Sequence, residues 1–212
     1  MKFSFPFSAF AQIFAVLSLL FVFSTGVSAQ TIPLNVSLDN VLSVDATVTI
    51  QQSTILNGQL SLTATVSGTA VVNGVSASVA TQPITVTAST TCKSGTGTLT
   101  LTTSSIVLDL SNGLRTSVSP LTIKVTASCG KTPTLTLTLS PATISISDGT
   151  VLSVSQCTVN LSSPSSTIIG NTVCTLKNTI CELTDILSAG VSTSDAISKL
   201  NQILSNLTNA LP

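Results

Sequence analysis

The sequence predicts a mainly β protein: an antiparallel β-sandwich or curled sheet of short, hairpin-connected strands, followed by a C-terminal αα-hairpin. Two observations predict the sheet. Apolar and polar residues alternate almost throughout residues 43–160, and Asn-Gly or Asp-Gly dipeptides separate the alternating runs. A third observation predicts the helices, because apolar residues after position 165 recur every three or four positions. Alternation is typical of strands buried on one face, and the second spacing is typical of amphipathic helices.

The strand pattern is clearest in TLTLTLS, residues 134–140, where Leu and Thr alternate. Successive side chains of a strand point to opposite faces, so the leucines are predicted to face a core and the threonines to face solvent. About ten short strands follow from this reasoning. The predicted core positions are Leu60, Leu62, Ile84, Val86, Ile123, Val125, Leu135, Leu137 and Leu139.

Turn residues divide the runs. The dipeptides that favour type I′ hairpin turns are Asn57-Gly58, Asn73-Gly74, Asn112-Gly113 and Asp148-Gly149. Proline cannot donate to a strand ladder, so the prolines of this region are expected between strands. These prolines are Pro83, Pro120, Pro133 and Pro141.

An internal similarity links two segments of the β region. PITVTASTTC (residues 83–92) resembles LTIKVTASCG (residues 121–130), and the text that follows each of them is also similar. We therefore predict an internal repeat over about residues 73–111 and 112–149, in which each unit buries its apolar face against its copy. The alternative is chance similarity within a chain rich in Thr and Val.

The last part of the chain, residues 166–212, is predicted to form a helical hairpin packed on the sheet. The first apolar stripe comprises Ile169, Val173, Leu176, Ile180, Leu183 and Leu187. Gly190 suits the C-terminal cap of this helix, and Ser192 with Asp195 suits the start of the next one. The second stripe comprises Ile197, Leu200, Leu204, Leu207 and Leu211. Binding of this hairpin to a membrane surface is the alternative, which the lack of flanking basic and aromatic residues disfavours.

The N-terminus has the features of a secretory signal peptide. Lys2 precedes an apolar run over residues 10–22, and Val27-Ser28-Ala29 suits signal peptidase. We predict a signal peptide over residues 1–29, a β domain over residues 30–165, and a secreted, extracellular or cell-surface protein. No integral membrane span is expected after cleavage. An uncleaved N-terminal anchor is the alternative.

The composition of the mature chain excludes several functions. All seven Phe lie within the first 23 residues and the chain has no Tyr, Trp or His, so residues 30–212 contain no aromatic side chain. Stacking platforms for sugars or single-stranded nucleic acids are therefore absent. Without Lys2, six Lys and Arg oppose seven Asp and Glu. We therefore expect no nucleic-acid partner.

Five cysteines in a secreted chain predict two disulfides and one thiol, which allows fifteen arrangements. The candidates are Cys92, Cys129, Cys157, Cys174 and Cys181. Cys174 and Cys181 are separated by about 10 Å along the predicted helix, which is too far for a bond to each other. Because Cys92 and Cys129 hold equivalent places in the repeat, we predict that they pair, and that Cys157 pairs with Cys174 or Cys181.

No constellation for catalysis, metal binding or cofactor binding is recognised in the sequence. Without His, no conventional triad and no thiol activated by an imidazole can form. Asn35, Asn160 and Asn206 are candidate glycosylation sites because each begins an Asn-x-Ser/Thr triplet. A chain that is about one-third Ser and Thr contains several such triplets by chance.

A resemblance to a protein group rests on IIGNTVC, residues 168–174, and the leucine-rich tail after it. These features resemble a group of secreted bacterial Thr/Val-rich β proteins whose tails read G-N-L-L-C and then L-L-N-x-L-L. The chain departs from that pattern in carrying Thr172 where Leu is usual, and in Cys181. The resemblance implies an extracytoplasmic location and transfers no functional residue, because the group has no known activity.

These observations favour a non-enzymatic structural or interaction protein of the cell surface or extracellular matrix. Its Thr-rich strand faces would form a hydroxyl surface that is open to O-glycosylation. The alternative function is a carrier of an apolar small molecule or lipid in a cavity between sheet and helices. Ice binding by a flat Thr array is a third hypothesis, which the irregular spacing of Thr in the sequence disfavours.

Overall fold

The computed structural model describes residues 30–38, 42–72, 74–109, 111, 113, 115–149 and 151–210. The predicted signal peptide, residues 1–29, lies outside the described residues. The strands are β1 (Gln30–Leu38), β2 (Leu42–Leu56), β3 (Gln59–Val72), β4 (Val75–Lys93), β5 (Thr96–Thr103), β6 (Ile106–Asp109), β7 (Arg115–Val118), β8 (Thr122–Ser128), β9 (Thr134–Leu139), β10 (Ala142–Ile146), β11 (Val151–Val154) and β12 (Cys157–Ser162). The helices are α1 (Ile168–Ala189) and α2 (Thr193–Ala210).

The strands form two sheets whose described pairings are all antiparallel. The larger sheet has eight strands in the order β1-β2-β3-β4-β5-β8-β9-β12. The smaller sheet has four strands in the order β11-β10-β7-β6. Helix α1 packs on β4, β5 and β8, and α2 packs on α1. The prediction of a mainly β, antiparallel fold with a C-terminal helical hairpin is therefore confirmed.

Four long strands pass from one sheet into the other. The pairs β5/β6, β7/β8, β9/β10 and β11/β12 each continue one another across a break of two or three residues, and they follow the same order in both sheets. The sequence marks the break between β9 and β10, because the alternation shifts by one position there: Leu139 and Ala142 are both buried, with Ser140 and Pro141 between them. Pro120 and Pro141 lie in two of the breaks, between strands as predicted.

Serine side chains complete the strand ladders at the breaks. At the break between β9 and β10, the Ser140 N–H donates to the Thr122 carbonyl (2.8 Å), and the Thr122 N–H donates to Ser140 Oγ (2.9 Å). The Ser104 and Ser119 breaks show the same reciprocal pattern. The hydroxyl takes the place of a backbone carbonyl, so the strand can bend while its neighbour's N–H keeps an acceptor.

Removal of one such hydroxyl should therefore destabilise the fold. Ser140→Ala is expected to lower the free energy of unfolding by about 1–3 kcal/mol, because the Thr122 N–H loses its acceptor. Ser155→Ala is the matched control, since Ser155 is exposed at the break between β11 and β12, and its effect should stay within about 0.5 kcal/mol. Urea denaturation of both variants measures the difference. Equal midpoints for the two variants would contradict the assigned role of the Ser140 hydroxyl.

The predicted repeat finds matching hydrogen bonds in its two segments. Ser111 and Ser147 directly precede Asn112-Gly113 and Asp148-Gly149. The Ser111 N–H donates to the Ser78 carbonyl, and the Ser78 N–H donates to Ser111 Oγ. Ser147 exchanges the same two bonds with Arg115. Ser104 and Ser140 also occupy corresponding places. The internal repeat stays a prediction, and matching bonds of this kind are what such a repeat would produce.

The strand lengths and one proline differ from expectation. Three strands, β2, β3 and β4, have 15, 14 and 19 residues, so the prediction of uniformly short strands is wrong. Pro83 lies inside β4 rather than between strands. Thr85, two residues after Pro83, donates its N–H to Ser104 Oγ. Backbone nitrogens two residues apart in a strand point to the same side. The Pro83 nitrogen therefore lies on the edge of β4 that faces β6, a strand of the other sheet. No ladder bond is lost there, which is why proline is tolerated.

Two of the four predicted turn dipeptides, Asn57-Gly58 and Asp148-Gly149, are fully described, and the first of them has the predicted type I′ geometry. Asn57 and Gly58 both have positive φ, 52° and 72°, as a type I′ turn between β2 and β3 requires. At Asp148-Gly149 only the glycine has positive φ, so the type I′ prediction is wrong there. Asn73 and Asn112 lie outside the described residues. The turn at Ser94-Gly95 between β4 and β5 was not predicted.

The nine predicted core residues are all buried, so the predicted pleat is confirmed. They belong to one cluster with apolar residues of both helices and of the smaller sheet. From the first helical stripe, all members except Ile169 are buried, and Ile169 is 45% exposed. Leu211 of the second stripe lies outside the described residues. No helix in the described part of the chain is long and apolar enough to cross a membrane.

The caps of the two helices follow the sequence closely. The Thr167 side chain accepts a bond from the Gly170 N–H at the start of α1, and Gly190 ends α1 in the left-handed conformation with φ of 67°. Ser192 Oγ accepts from the Asp195 N–H at the start of α2 (3.2 Å), as predicted. A Cβ on Gly170 would lie only 2.2 Å from the Pro164 carbonyl oxygen. This close approach explains the glycine of IIGNTVC.

Candidate functional site: a clamped helix and an outer hydroxyl face

The two disulfides join helix α1 to the sheet. Cys92 at the end of β4 is bonded to Cys181, and Cys129 after β8 is bonded to Cys174. The predicted Cys92–Cys129 bond is therefore wrong, and so is the predicted bond of Cys157 to α1, since Cys157 is a free thiol. Strand β5 lies between β4 and β8, so the strands that carry the two sheet cysteines are two spacings, or about 9.6 Å, apart. Cys129 also lies two residues beyond Ala127, the β8 residue that is level with Gly97 and Cys92.

The disulfide spacing on the helix matches the spacing on the sheet. Cys174 and Cys181 are seven residues apart, which corresponds to about 10 Å along a helix axis. A helix that crosses β4, β5 and β8 can therefore form both bonds at once. The same distance that prevents Cys174 and Cys181 from bonding to each other lets each of them reach a different strand.

Gly97 allows the helix to lie directly on the central strand. It occupies an inward position of β5, opposite Cys92 on β4, and is buried. A Cβ at this position would lie 3.0 Å from the Lys177 carbonyl oxygen and 3.1 Å from Ile180 Cβ. Lys177 and Ile180 lie between the two helical cysteines, so Gly97 is the contact point between the two disulfides. A glycine inside an alternating strand was the available sequence signal for this close approach.

A side chain at position 97 should separate the helix from the sheet. Gly97→Ala is expected to lower the free energy of unfolding by about 1–3 kcal/mol, because the added methyl overpacks a contact held at both ends by disulfides. Gly130→Ala is the control, since a Cβ there meets nothing within 4 Å, and it should be nearly neutral. Thermal and urea unfolding test both variants. A Gly97→Ala protein as stable as the parent would contradict the close contact.

The face of the larger sheet opposite the helices is covered with hydroxyl groups. Thr98 of β5 lies opposite Thr126 of β8, which lies opposite Thr136 of β9 and then Asn160 of β12. We call the outward-pointing residues of these four strands the outer hydroxyl face. Their side chains bond across the strands, as in Thr98–Thr126 at 3.3 Å and the Thr136 hydroxyl to Asn160 Oδ1 at 2.8 Å.

The charge on the outer hydroxyl face is low and positive. Lys124 of β8 is exposed and lies opposite Thr100 and Thr138 on the neighbouring strands. The four strands β5, β8, β9 and β12 contain no acidic residue. The ion pairs described elsewhere join Arg115 to Asp109 (2.8 Å) and Lys199 to Glu182 (2.5 Å), all of them at least partly exposed. Such pairs contribute little to stability.

The three candidate glycosylation sites lie in different environments. Asn160 is exposed on β12, on the outer hydroxyl face. Asn206 is half-buried on α2. Asn35 lies on β1, and its side chain is outside the described part of the structure. Of the two described side chains, Asn160 is the more accessible.

The described residues contain no group of three or more His, Cys, Asp or Glu that could hold a metal ion. The chain matches no protein-family model, no curated protein and no solved structure. The class of protein defined by the geometry is thus a disulfide-clamped antiparallel β domain with a hydroxyl-covered outer face. Arguments about its function rest on these features.

Proposed function

We propose that the protein is a secreted, non-enzymatic structural or interaction protein of the cell surface or extracellular matrix, which contacts its partner through the outer hydroxyl face. The observation that carries the proposal is the register of hydroxyl residues across β5, β8, β9 and β12. Rows of hydroxyls offer donors and acceptors in a regular arrangement, about 4.8 Å apart between strands. A polar partner can bind such a surface by hydrogen bonds, without aromatic stacking.

The location is supported by the disulfides. Bonds such as Cys92–Cys181 and Cys129–Cys174 persist in oxidising compartments outside the cytoplasm. They fit an extracellular protein, and the signal-peptide features of residues 1–29 point the same way. Rigid attachment of α1 also keeps the sheet beneath it in one shape, so the hydroxyl rows stay aligned.

The carrier of an apolar ligand is less well supported. Such a carrier needs a cavity between the helices and the sheet, and at Gly97 the backbone of α1 lies so close to β5 that an added Cβ would be 3.0 Å from the Lys177 carbonyl oxygen. Ice binding is also less well supported, because Lys124 interrupts the hydroxyl rows.

The test compares binding of two double variants to washed cell surfaces and isolated extracellular matrix. Thr98→Val with Thr126→Val removes two hydroxyls of the outer face and keeps their shape. Thr143→Val with Thr172→Val removes a hydroxyl from β10 and one from α1, away from that face. Hydroxyl bonds of about 0.5–1.5 kcal/mol each predict about a tenfold loss of affinity for the first variant only.

Two outcomes would contradict the proposal. Equal binding of both double variants would exclude the outer hydroxyl face as the contact surface. Native mass spectrometry of the secreted protein that reveals a bound apolar small molecule or lipid would favour the carrier instead.

A further inference from the structure

Strand β12 is an edge strand whose outer side is unpaired in the described part of the structure. It pairs with β9 alone. Beyond its end, the Ser163 N–H donates to the Pro133 carbonyl at 3.2 Å, so odd-numbered residues direct their backbone groups to β9. The backbone groups of the even-numbered residues Thr158, Asn160 and Ser162 therefore point away from the sheet. Their side chains are exposed, whereas Thr136 and Thr138 on β9 are half-buried between neighbours.

The other described edges are protected against pairing and β12 is not. On the far edge of the larger sheet, β1 contains Pro33 in its interior, which removes a donor. In the smaller sheet, β11 has four residues, and the segment after β6 is bonded to β4 through Ser111 and Ser78. The sequence of β12, CTVNLS, has no proline, glycine or charged residue, and its register with β9 shows no bulge.

The unpaired side of β12 is complementary to itself. In an antiparallel pair related by a two-fold axis at Asn160, Thr158 stands opposite Ser162 of the second copy, and Asn160 stands opposite its own copy. These are the residues with outward backbone groups, so about six backbone hydrogen bonds form. On the inner face, Val159 meets Leu161 of the second copy, and Leu161 is only partly buried in the single chain. No charges oppose each other across the axis.

We propose that β12 pairs with β12 of a second copy of this chain in that register, which extends the outer hydroxyl face across two molecules. The proposal is independent of the proposed function, because it concerns the edge of the sheet and not the partner of its face. A six-residue edge buries less surface than a standard protein interface, so the dimer is weak and depends on concentration.

In this register, a glycan on Asn160 would interfere with dimer formation. The two Asn160 side chains would lie on the same face, with Cα atoms about 5.5 Å apart. Two glycans do not fit there, so glycosylation at Asn160 keeps the protein monomeric.

The test is sedimentation velocity of the mature chain over a range of concentrations. A Cys157→Ala background excludes dimers that form through the free thiol. The expected result is a shift from monomer to dimer mass as concentration rises, with slowed amide hydrogen exchange at residues 158, 160 and 162. Asn160→Lys should abolish the shift, because two ammonium groups would meet at the axis. Asn160→Pro should abolish it as well, because it removes the central outward N–H while the bonds to β9 remain.

Thr54→Lys is the control, since it adds the same charge at an exposed position of β2, and it should dimerise like the parent. Unchanged melting temperatures show that the Asn160 variants are folded. A parent protein that stays monomeric at all concentrations would overturn the proposal, and so would an Asn160→Lys protein that dimerises normally. A dimer that is lost on Cys157→Ala alone would show a thiol bond instead of strand pairing.

Discussion

Removal of the Cys129–Cys174 disulfide is expected to lower the free energy of unfolding by about 4 kcal/mol. The double variant Cys129→Ala with Cys174→Ala opens a loop of sequence separation 45, and the chain-entropy model assigns about 4 kcal/mol to the closure of such a loop. The loss falls on the contact between β8 and α1, while the Cys92–Cys181 bond still holds α1 on β4. Urea denaturation followed by far-ultraviolet circular dichroism measures the change.

The matched control is Cys157→Ala, which removes a half-buried thiol without breaking a bond. It should cost about 1 kcal/mol or less. Equal stabilities for the two variants would show that the disulfide contributes nothing beyond packing.

Non-reducing peptide mapping checks the connectivity on which this prediction depends. The trypsin cleavage sites that separate the cysteines follow Lys93, Lys124, Lys131, Lys177 and Lys199. Cys129 should then be recovered in peptide 125–131 linked to peptide 132–177, and Cys92 should be linked to peptide 178–199. The Cys157→Ala background assigns the first link to Cys174, because that peptide otherwise contains two cysteines. A link between Cys92 and Cys129 would overturn the connectivity.

Leu137→Ala is expected to lower the free energy of unfolding by about 2–5 kcal/mol. Leu137 is 2% exposed in the centre of β9, between Val125 on β8 and Val159 on β12. Truncation leaves a cavity among strands that disulfides and neighbouring side chains hold in place. The neighbouring Thr136→Ala should cost under about 1 kcal/mol, because it removes one exposed side-chain hydrogen bond. Equilibrium unfolding in urea compares the two.

The two β9 positions are adjacent, so backbone effects of the alanine substitutions are matched as closely as the chain allows. Equal losses at Leu137 and Thr136 would mean that β9 does not present one face to the core. A loss at Leu137 below about 1 kcal/mol would mean that the site collapses around the deletion.

Much of the fold could be predicted because strand and helix periodicity are local properties of the chain. Leu135, Leu137 and Leu139 identify the inward face of β9 without reference to any other strand. Gly190 and Ser192 likewise mark the ends of the two helices through their own backbone preferences. Pro83 shows where this reasoning fails. Whether a strand tolerates proline depends on what lies beside it, and the sequence does not say which edge of β4 is unpaired.

The sequence predicts that the strands carry hydroxyl-rich faces, but not how those faces line up between neighbouring strands. Thr residues at alternate positions predict a hydroxyl-rich face on each strand. That Thr98, Thr126 and Thr136 form one row depends on the register between three strands, and register is set by turns and by the packing of the opposite face. The exposed side of β12 depends in the same way on which strand ends the sheet.

The sequence by itself determined the alternating strands, the helical hairpin, the inward residues and the number of disulfides that five cysteines can form. The tertiary structure alone decided which cysteines meet. Cys92 and Cys129 end strands that β5 keeps two spacings apart, and α1 crosses those strands with Cys174 and Cys181 at a matching separation. Such pairing depends on the position of a helix over a sheet, which is a long-range property that no local periodicity encodes.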